Sequence, residues 1–374
     1  MVAKTALSPV RVVACGLVLL SASAIDNGKG VTPPMGWRSW NLFGGNVDQG
    51  LMMAQMALVA NRSRTVSGVP TSLSDVGYVD VGLDDNWQAC GSYGPKGYSF
   101  HDANGRPVVN PNRFPDFLAM TNFAHSLGLT AGWYGNNCIC SDHCSDLSCY
   151  QGDVDAAIDY GFDSIKLDGC GQELDLALYA QLFNNSGKSI LIENCHWGDT
   201  LPNATFCPWN YYRSSGDIGA SYGSIVSNLQ TTIPLAQKGL STPGCWAYPD
   251  MLEVGCHGLP PVEGRSHFNA WCIVCELPPT LKHKRRSQPQ GPDNQPHNRN
   301  PLPCAASPLI LSMDLRDDVV MDASWPVVTN MEALAVSKAW AGNSGTVFKS
   351  ASTTVQLGRD DKTGRPFDAV PAWQ

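Results

Sequence analysis

From Thr32 onward the chain alternates short, β-rich apolar runs with amphipathic or polar stretches. The runs predict strands over Met35–Trp40, Tyr78–Asp85, Leu129–Tyr134, Ser164–Cys170, Ser189–Cys195, Tyr211–Asp217, Gly244–Asp250 and Pro308–Leu315. Helical spacing falls between them, for instance at Phe114–Leu127, Asp153–Tyr160, Leu174–Asn184 and Ser266–Val274. Eight strands alternating with helices over about 300 residues fit an α/β fold of the (β/α)8 TIM-barrel type better than a doubly wound sheet. No Gly-rich dinucleotide fingerprint or phosphate loop follows any strand, which counts further against the sheet.

The regions outside this alternation change the picture in three ways. Lys4 and Arg11 precede the apolar stretch Val12 to Leu20 and the small residues Ser21-Ala22-Ser23-Ala24. That order predicts a secretory signal peptide over 1–24. The expected location is therefore outside the cell, or the lysosome or vacuole by the same route. No apolar run reaches the roughly 18 to 20 residues of a spanning helix, so no membrane is expected after cleavage. Asn61, Asn184 and Asn203 begin N-x-S/T triplets and are candidate glycan sites. Second, the stretch 276–306, with Lys282-His283-Lys284-Arg285-Arg286 and a run rich in Pro, Gln and Asn, is an atypical insertion within an expected barrel of 25–342. Cys275-Glu276 can be encoded TGT-GAG and Ala305-Ala306 GCA-GCA, which supply donor-like and acceptor-like bases, so the stretch reads as a retained intron. Third, residues 343–374 leave room for one strand and little more.

Of 374 residues, 43% are hydrophobic and 16% charged, which is globular composition; the net charge of −8 disfavours a nucleic-acid partner. The active site of such a barrel lies at the C-terminal ends of its strands. Those ends hold Trp40, Asp84-Asp85, Tyr134, Asp168, Arg213 with Asp217, and Asp250. Five carboxylates with aromatic neighbours suit sugar hydrolysis: one carboxyl as nucleophile, one as general acid, others accepting hydroxyls, and a ring against the sugar's apolar face. Histidines are not spaced as metal ligands there, so neither a metal nor a cofactor is expected. Lys166 lies two residues before Asp168 on one strand, so both point into the barrel, and the ammonium favours the ionised carboxylate.

The sequence 77–87 (Gly-Tyr-Val-Asp-Val-Gly-Leu-Asp84-Asp85-Asn86-Trp87) resembles the melibiase signature of glycoside hydrolase family 27, the α-galactosidases and α-N-acetylgalactosaminidases. Also similar to that family are Thr32 to Trp40, Asn110 to Pro115, Ile165-Lys166-Leu167-Asp168-Gly169-Cys170, Arg213-Ser214-Ser215-Gly216-Asp217-Ile218, Pro249 to Gly255 and Ser307 to Leu315. The resemblance covers roughly residues 31 to 342 and implies a secreted retaining exo-glycosidase acting on terminal α-galactosyl groups of an oligosaccharide or glycoconjugate. It implies Asp168 as nucleophile and Asp217 as acid/base, with carboxyls about 5 to 5.5 Å apart. Burial and the Asp168 charge are expected to hold the proton on Asp217, with Arg213 serving chiefly as a hydroxyl ligand. Asp84 and Asp85 would accept galactose hydroxyls, and Trp40, Tyr134, Lys166, Asp250 and Met251 would complete the pocket. A homodimer is admitted as an assembly.

The chain departs from the family in several places. His196, in Asn194-Cys195-His196-Trp197, stands where α-galactosidases generally carry a glutamate near the sugar's C2 substituent. It is expected either to contact substrate or to stack in the mouth without doing so. That leaves α-N-acetylgalactosaminidase and β-L-arabinopyranosidase activity, and an inactive carbohydrate-binding barrel, as alternatives; retention of Asp168 and Asp217 argues against the last. Asn86 replaces a frequent cysteine, and Ala247-Tyr248 a usual Asn-Asp. Outside leader and insertion, eleven cysteines remain, an odd number that requires a free thiol. Cys138, Cys140 and Cys144 could form a zinc knuckle, but a disulfide-laced loop suits a secreted chain better. The resemblance implies that Cys170 pairs within the Cys138–Cys149 cluster, which includes Cys140, and that Cys195 pairs with Cys207. It also implies a β-sandwich after the barrel, of which 343–374 would be a truncated, antiparallel remnant.

Overall fold

In the computed structural model, which describes residues 25–136, 138–272 and 307–339, each of the eight apolar runs forms a strand, and all eight strands are parallel. The leader, the insertion and the C-terminal β segment lie outside the described residues. The elements run β1 (Met35–Arg38), α1 (Trp40–Phe43), α2 (Gln49–Val59), the hairpin β2 (Arg64–Val66) and β3 (Val69–Thr71), α3 (Leu73–Val76), β4 (Asp80–Gly82), α4 (Phe117–Ser126) and β5 (Thr130–Tyr134). They continue with α5 (Leu147–Asp159), β6 (Ser164–Asp168), α6 (Leu176–Ser186), β7 (Leu191–Cys195), β8 (Tyr211–Arg213), α7 (Tyr222–Gln230), α8 (Ile233–Gln237), β9 (Trp246–Tyr248), α9 (Pro261–Cys272), β10 (Leu309–Leu311), α10 (Asp318–Val328) and α11 (Met331–Lys338).

The strand order β10-β1-β4-β5-β6-β7-β8-β9 is that of a TIM barrel. Between its two end strands, the Leu252 N–H just past β9 donates to the Ile310 carbonyl of β10 at 2.8 Å. Tyr248, Met251 and Ile310 share one buried cluster across that join. Close approach makes one glycine obligatory: a Cβ on Gly36 of β1 would lie 2.1 Å from the Asp80 carbonyl oxygen.

Period-two alternation divides the barrel side chains between two cores. Val81, Ala131, Trp133, Ile165, Leu167 and Ile192 pack outward with the helices in the large cluster. Tyr211, Trp246, Tyr248 and Ile310 face inward and form a second cluster with Met251. The rest of the interior is polar. Arg38 of β1 bridges Glu193 of β7 at 3.0 Å, each 3% exposed, and the Tyr211 hydroxyl donates to the same carboxylate at 2.8 Å. Asp80 accepts from Thr130 and Ser164 at 2.8 and 2.9 Å. These groups form a hydrogen-bonded floor beneath the mouth.

The strands are shorter than the apolar runs, some at their C-terminal ends (β6 stops at Asp168) and others at their N-terminal ends (β5 starts at Thr130, β7 at Leu191). Helices also shift from the expected bounds: α5 begins at Leu147 rather than Asp153, and α9 at Pro261 rather than Ser266. Asp146 stands at the N-cap position of α5 in extended backbone, but its carboxylate accepts from Lys96 and Tyr98 rather than from the first turn of the helix.

Four disulfides occur among the described residues: Cys90–Cys140, Cys138–Cys170, Cys144–Cys149 and Cys207–Cys245. Cys170 does pair within the Cys138–Cys149 cluster. The expected Cys195–Cys207 bond is absent, and Cys195, Cys256 and Cys272 are free and buried. Topology explains the difference. Cys195 ends β7 at the top of the barrel, whereas Cys207 precedes β8 at the bottom, next to Cys245, which precedes β9. Asn61, Asn184 and Asn203 are all exposed. Among the described residues no helix is long and apolar enough to cross a membrane.

Candidate active site

At the C-terminal ends of the strands a cavity of about 620 Å³ opens between the loops. Trp40, Asp84, Asp85, Tyr134, Lys166, Asp168, Arg213, Asp217, Asp250 and Met251, all singled out from sequence, line it. Four of the five carboxylates fall into two groups, each organised by one cation, and Asp85 stands beside the first, held by backbone N–H groups.

Lys166 organises the first. Its ammonium donates to Asp84 Oδ2 at 2.8 Å and lies 3.8 Å from Asp168 Oδ2. Asp168 Oδ2 also accepts from the Tyr134 hydroxyl at 3.0 Å, and Oδ1 from the Gly169 N–H at 3.0 Å. Its backbone is clamped as well. The Asp168 N–H donates to Asn136 Oδ1 at 2.5 Å, while Asn136 Nδ2 donates to the Asp168 carbonyl. Every atom that could swing this carboxylate is thus held. Asp85 accepts from the N–H groups of Cys138 and Ile139 at 3.0 and 2.9 Å, so the Cys138–Cys170 disulfide ties its support to the loop after Asp168. Burial pushes Asp85 above the usual carboxylate range, against these donors.

Arg213 organises the second group. Its guanidinium meets Asp217 at 2.9 Å and Asp250 at 2.8 Å, and donates to the free thiol of Cys195 at 3.3 Å. Asp250 is buried, which raises its pKa, and receives the N–H groups of Ile218 and Met251. Asp217 itself is not buried as the sequence suggested: its side chain is 69% exposed. It sits four residues beyond Arg213, outside the strand, where no loop among the described residues covers it.

Of the two placements left open for His196, the structure has the one away from the cavity, which Trp197 lines in its place. Trp197 takes a left-handed conformation (φ 49°), and its indole would be only 3.0 Å from a Cβ on Gly169. The turn carries His196 inward, where Nδ1 bonds Thr200 Oγ1 at 2.9 Å and burial lowers the imidazole pKa.

Sequence reasoning also missed Asn136, Trp197, Asn41, Glu253 and His257. Asn136 could have been found by continuing the period-two line from Tyr134, and Glu253 lies inside the quoted Pro249–Gly255 motif. Glu253 Oε1 accepts from Asn41 Nδ2 at 2.5 Å, and burial pushes its carboxyl up to about 7. A raised carboxyl adds stability that is present below about pH 4.3 and is lost as pH rises through about 7. Measured against a Glu253→Gln variant, the wild type's thermal midpoint is therefore expected to fall across that window. Parallel curves from pH 4 to 8 would refute the assignment.

The family model described as "Alpha galactosidase A" matches residues 32–286, more than half of the chain. A probable alpha-galactosidase of Dictyostelium discoideum is 29% identical over 268 residues, 69% of this chain and 64% of that protein. Human alpha-galactosidase A is 30% identical over 288 residues, 68% of this chain and 61% of the human one. The chain thus spans less than two thirds of either relative. Among solved structures, an alpha-galactosidase from Saccharomyces cerevisiae with raffinose superimposes with a TM-score of 0.66 at 20% identity, over 91% of this chain and 70% of the yeast chain.

Proposed function

This chain belongs to the alpha galactosidase A family, glycoside hydrolase family 27, and on that premise we propose that it is a retaining exo-glycosidase that removes terminal α-D-galactosyl groups. The observation that carries the proposal is the Lys166–Asp168–Tyr134 arrangement, a fixed carboxylate beside an ammonium at the mouth of the barrel. Asp168 is already aimed and needs little reorganisation to attack an anomeric carbon above it. The attack inverts that carbon and forms a glycosyl-enzyme. Asp217, at the open edge of the cavity, donates a proton to the departing oxygen and then deprotonates the water that releases the sugar, with a second inversion.

The remaining polar groups suit a galactose ring. Asp84 and Asp85 offer acceptors, Lys166 and Arg213 offer donors, and Trp40 and Trp197 offer apolar faces. The raffinose carried by the yeast protein belongs to the same class of α-galactoside. Four disulfides support an oxidising, secretory location.

The test is hydrolysis of nitrophenyl α-galactoside, α-N-acetylgalactosaminide and β-L-arabinopyranoside, with the anomer of the first-formed sugar read by proton NMR. α-Galactose released first from the α-galactoside is the expected result. β-Galactose would refute the double displacement. Turnover of only one of the other two glycosides would reassign the sugar, and turnover of none by folded protein would leave a carbohydrate-binding barrel.

A further inference from the structure

Away from the cavity, a second group of acidic side chains surrounds one histidine. His101 lies in the long loop between β4 and α4, Asp142 in the loop before α5, Asp153 within α5 and Glu173 in the loop between β6 and α6. None of the four lines the cavity at the mouth. All are buried: His101 and Asp153 are 0% exposed, Asp142 and Glu173 2%.

The imidazole is oriented from one side. Its Nδ1 meets Asp142 Oδ2 at 2.6 Å, and the other oxygen of that carboxylate accepts the Ser99 and His143 N–H groups at 2.7 and 2.8 Å. With Nδ1 donating to Asp142, Nε2 presents a lone pair on the opposite side. There it faces Asp153 Oδ1 at 3.1 Å and Glu173 Oε2 at 3.8 Å. Asp153 is held in turn by the Tyr179 hydroxyl, which donates to Oδ2 at 2.7 Å. Glu173 Oε1 has no hydrogen-bond partner among the described residues. Charge does not balance either. Three buried carboxylates face one buried imidazole, and His143, 3.9 Å from Asp142, is exposed. Burying carboxylates without a compensating charge is costly.

We infer that this cluster binds a divalent transition-metal ion, with zinc the best fit, through His101 Nε2, Asp153 Oδ1 and the two oxygens of Glu173. One donor atom from each of the three residues lies within 4.8 Å of the others. The separations of 3.1 and 3.8 Å bracket the roughly 3.4 Å between neighbouring ligands of a tetrahedral zinc with bonds of about 2.1 Å. An imidazole among so few oxygens does not suit calcium or magnesium. Asp142 is the carboxylate behind the ligand histidine, fixing its tautomer and direction. Cys144 and Cys149 also lie near His101, but they are bonded to each other and offer no thiolate. His101 and Asp153 are 52 residues apart, so no ligand spacing shows in the sequence. The site is closed, as structural zinc sites are, and it ties together the loops after β4, β5 and β6 that carry Asp85, Cys138 and Cys170.

The experiment measures metal in the untagged full chain, expressed in zinc-containing medium and washed with EDTA, by inductively coupled plasma mass spectrometry. About one zinc per chain is expected in the wild type and about a tenth of that or less in Glu173→Gln, which keeps the shape of the side chain. Asp142→Asn, which touches the ring and not the ion, is expected to weaken zinc binding about 10- to 100-fold. Thermal unfolding separates this reading from a cluster held only by a proton on His101. With zinc in place, Glu173→Gln lowers the midpoint by about 5 °C or more. With a proton alone, the same variant removes a buried charge, and the midpoint stays or rises. A zinc-free wild type, or zinc kept equally by Glu173→Gln, overturns the site. If neither variant folds, X-ray absorption at the zinc edge of the wild type decides. One imidazole among oxygens supports the site, and sulfur or several imidazoles overturn it.

Discussion

Replacing Asp168 by Asn is expected to lower kcat on nitrophenyl α-galactoside by about 10⁴-fold or more, the scale seen when an enzyme loses its nucleophile. The substitution is close to isosteric. The introduced amide would keep the Asn136 clamp, which acts on the backbone of this position, and an oxygen for the Tyr134 hydroxyl. Folding should therefore survive, and the loss should report chemistry. Azide separates the nucleophile from a merely electrostatic role. In an Asp168→Gly variant, a small anion can occupy the vacated space and displace the leaving group in a single inversion. β-Galactosyl azide would then form, while Asp217 still protonates the departing oxygen. Residual activity above a few per cent in Asp168→Asn would refute the assignment. So would an α-galactosyl azide product, because it requires a second inversion that the variant lacks the group to perform.

The second large effect concerns stability. Arg38→Met removes the cation paired with Glu193, 3% exposed, and leaves that carboxylate with the Tyr211 hydroxyl as its one hydrogen-bond donor among the described residues. Breaking a buried pair from one side typically costs about 3–5 kcal/mol, because the remaining charge is uncompensated. Against a total of roughly 5–15 kcal/mol, that brings the variant near the edge of folding. Guanidinium unfolding with the disulfides intact should show the midpoint falling strongly in Arg38→Met and recovering in Arg38→Met/Glu193→Leu, where both charges are gone. Equal losses in the single and double variants would mean that the interior tolerates Glu193 alone. The ion pair would then have no part in holding β1 to β7.

The readings that held share a physical basis. Strand positions came from short, β-rich apolar runs between polar or helical stretches, which depend only on which residues avoid water and favour extended backbone. The pairing of Lys166 with Asp168 followed from strand geometry, since residues two apart share a face. The carboxylates at strand ends were readable because a polar residue that closes an apolar run is carried by its strand to the rim, where barrels of this kind build their sites.

The readings that failed or stayed open needed information that no local window contains. His196 and Trp197 are adjacent, and the left-handed turn at Trp197 decided which of them faces the cavity. Cys195 and Cys207 are close in sequence, but one ends a strand and the other precedes the next, so the length of the barrel separates them. Asp217 was expected to be buried, yet no loop among the described residues covers the position four residues past Arg213. The Asn41–Glu253 contact joins residues 212 positions apart across the mouth. Sequence by itself therefore determined the barrel, its inward-facing residues and the carboxylates at its rim, because periodicity and burial are carried by each strand alone. Only the tertiary structure decided which neighbours meet over the mouth. Those contacts depend on where each loop ends in space, which the closure of the whole barrel fixes.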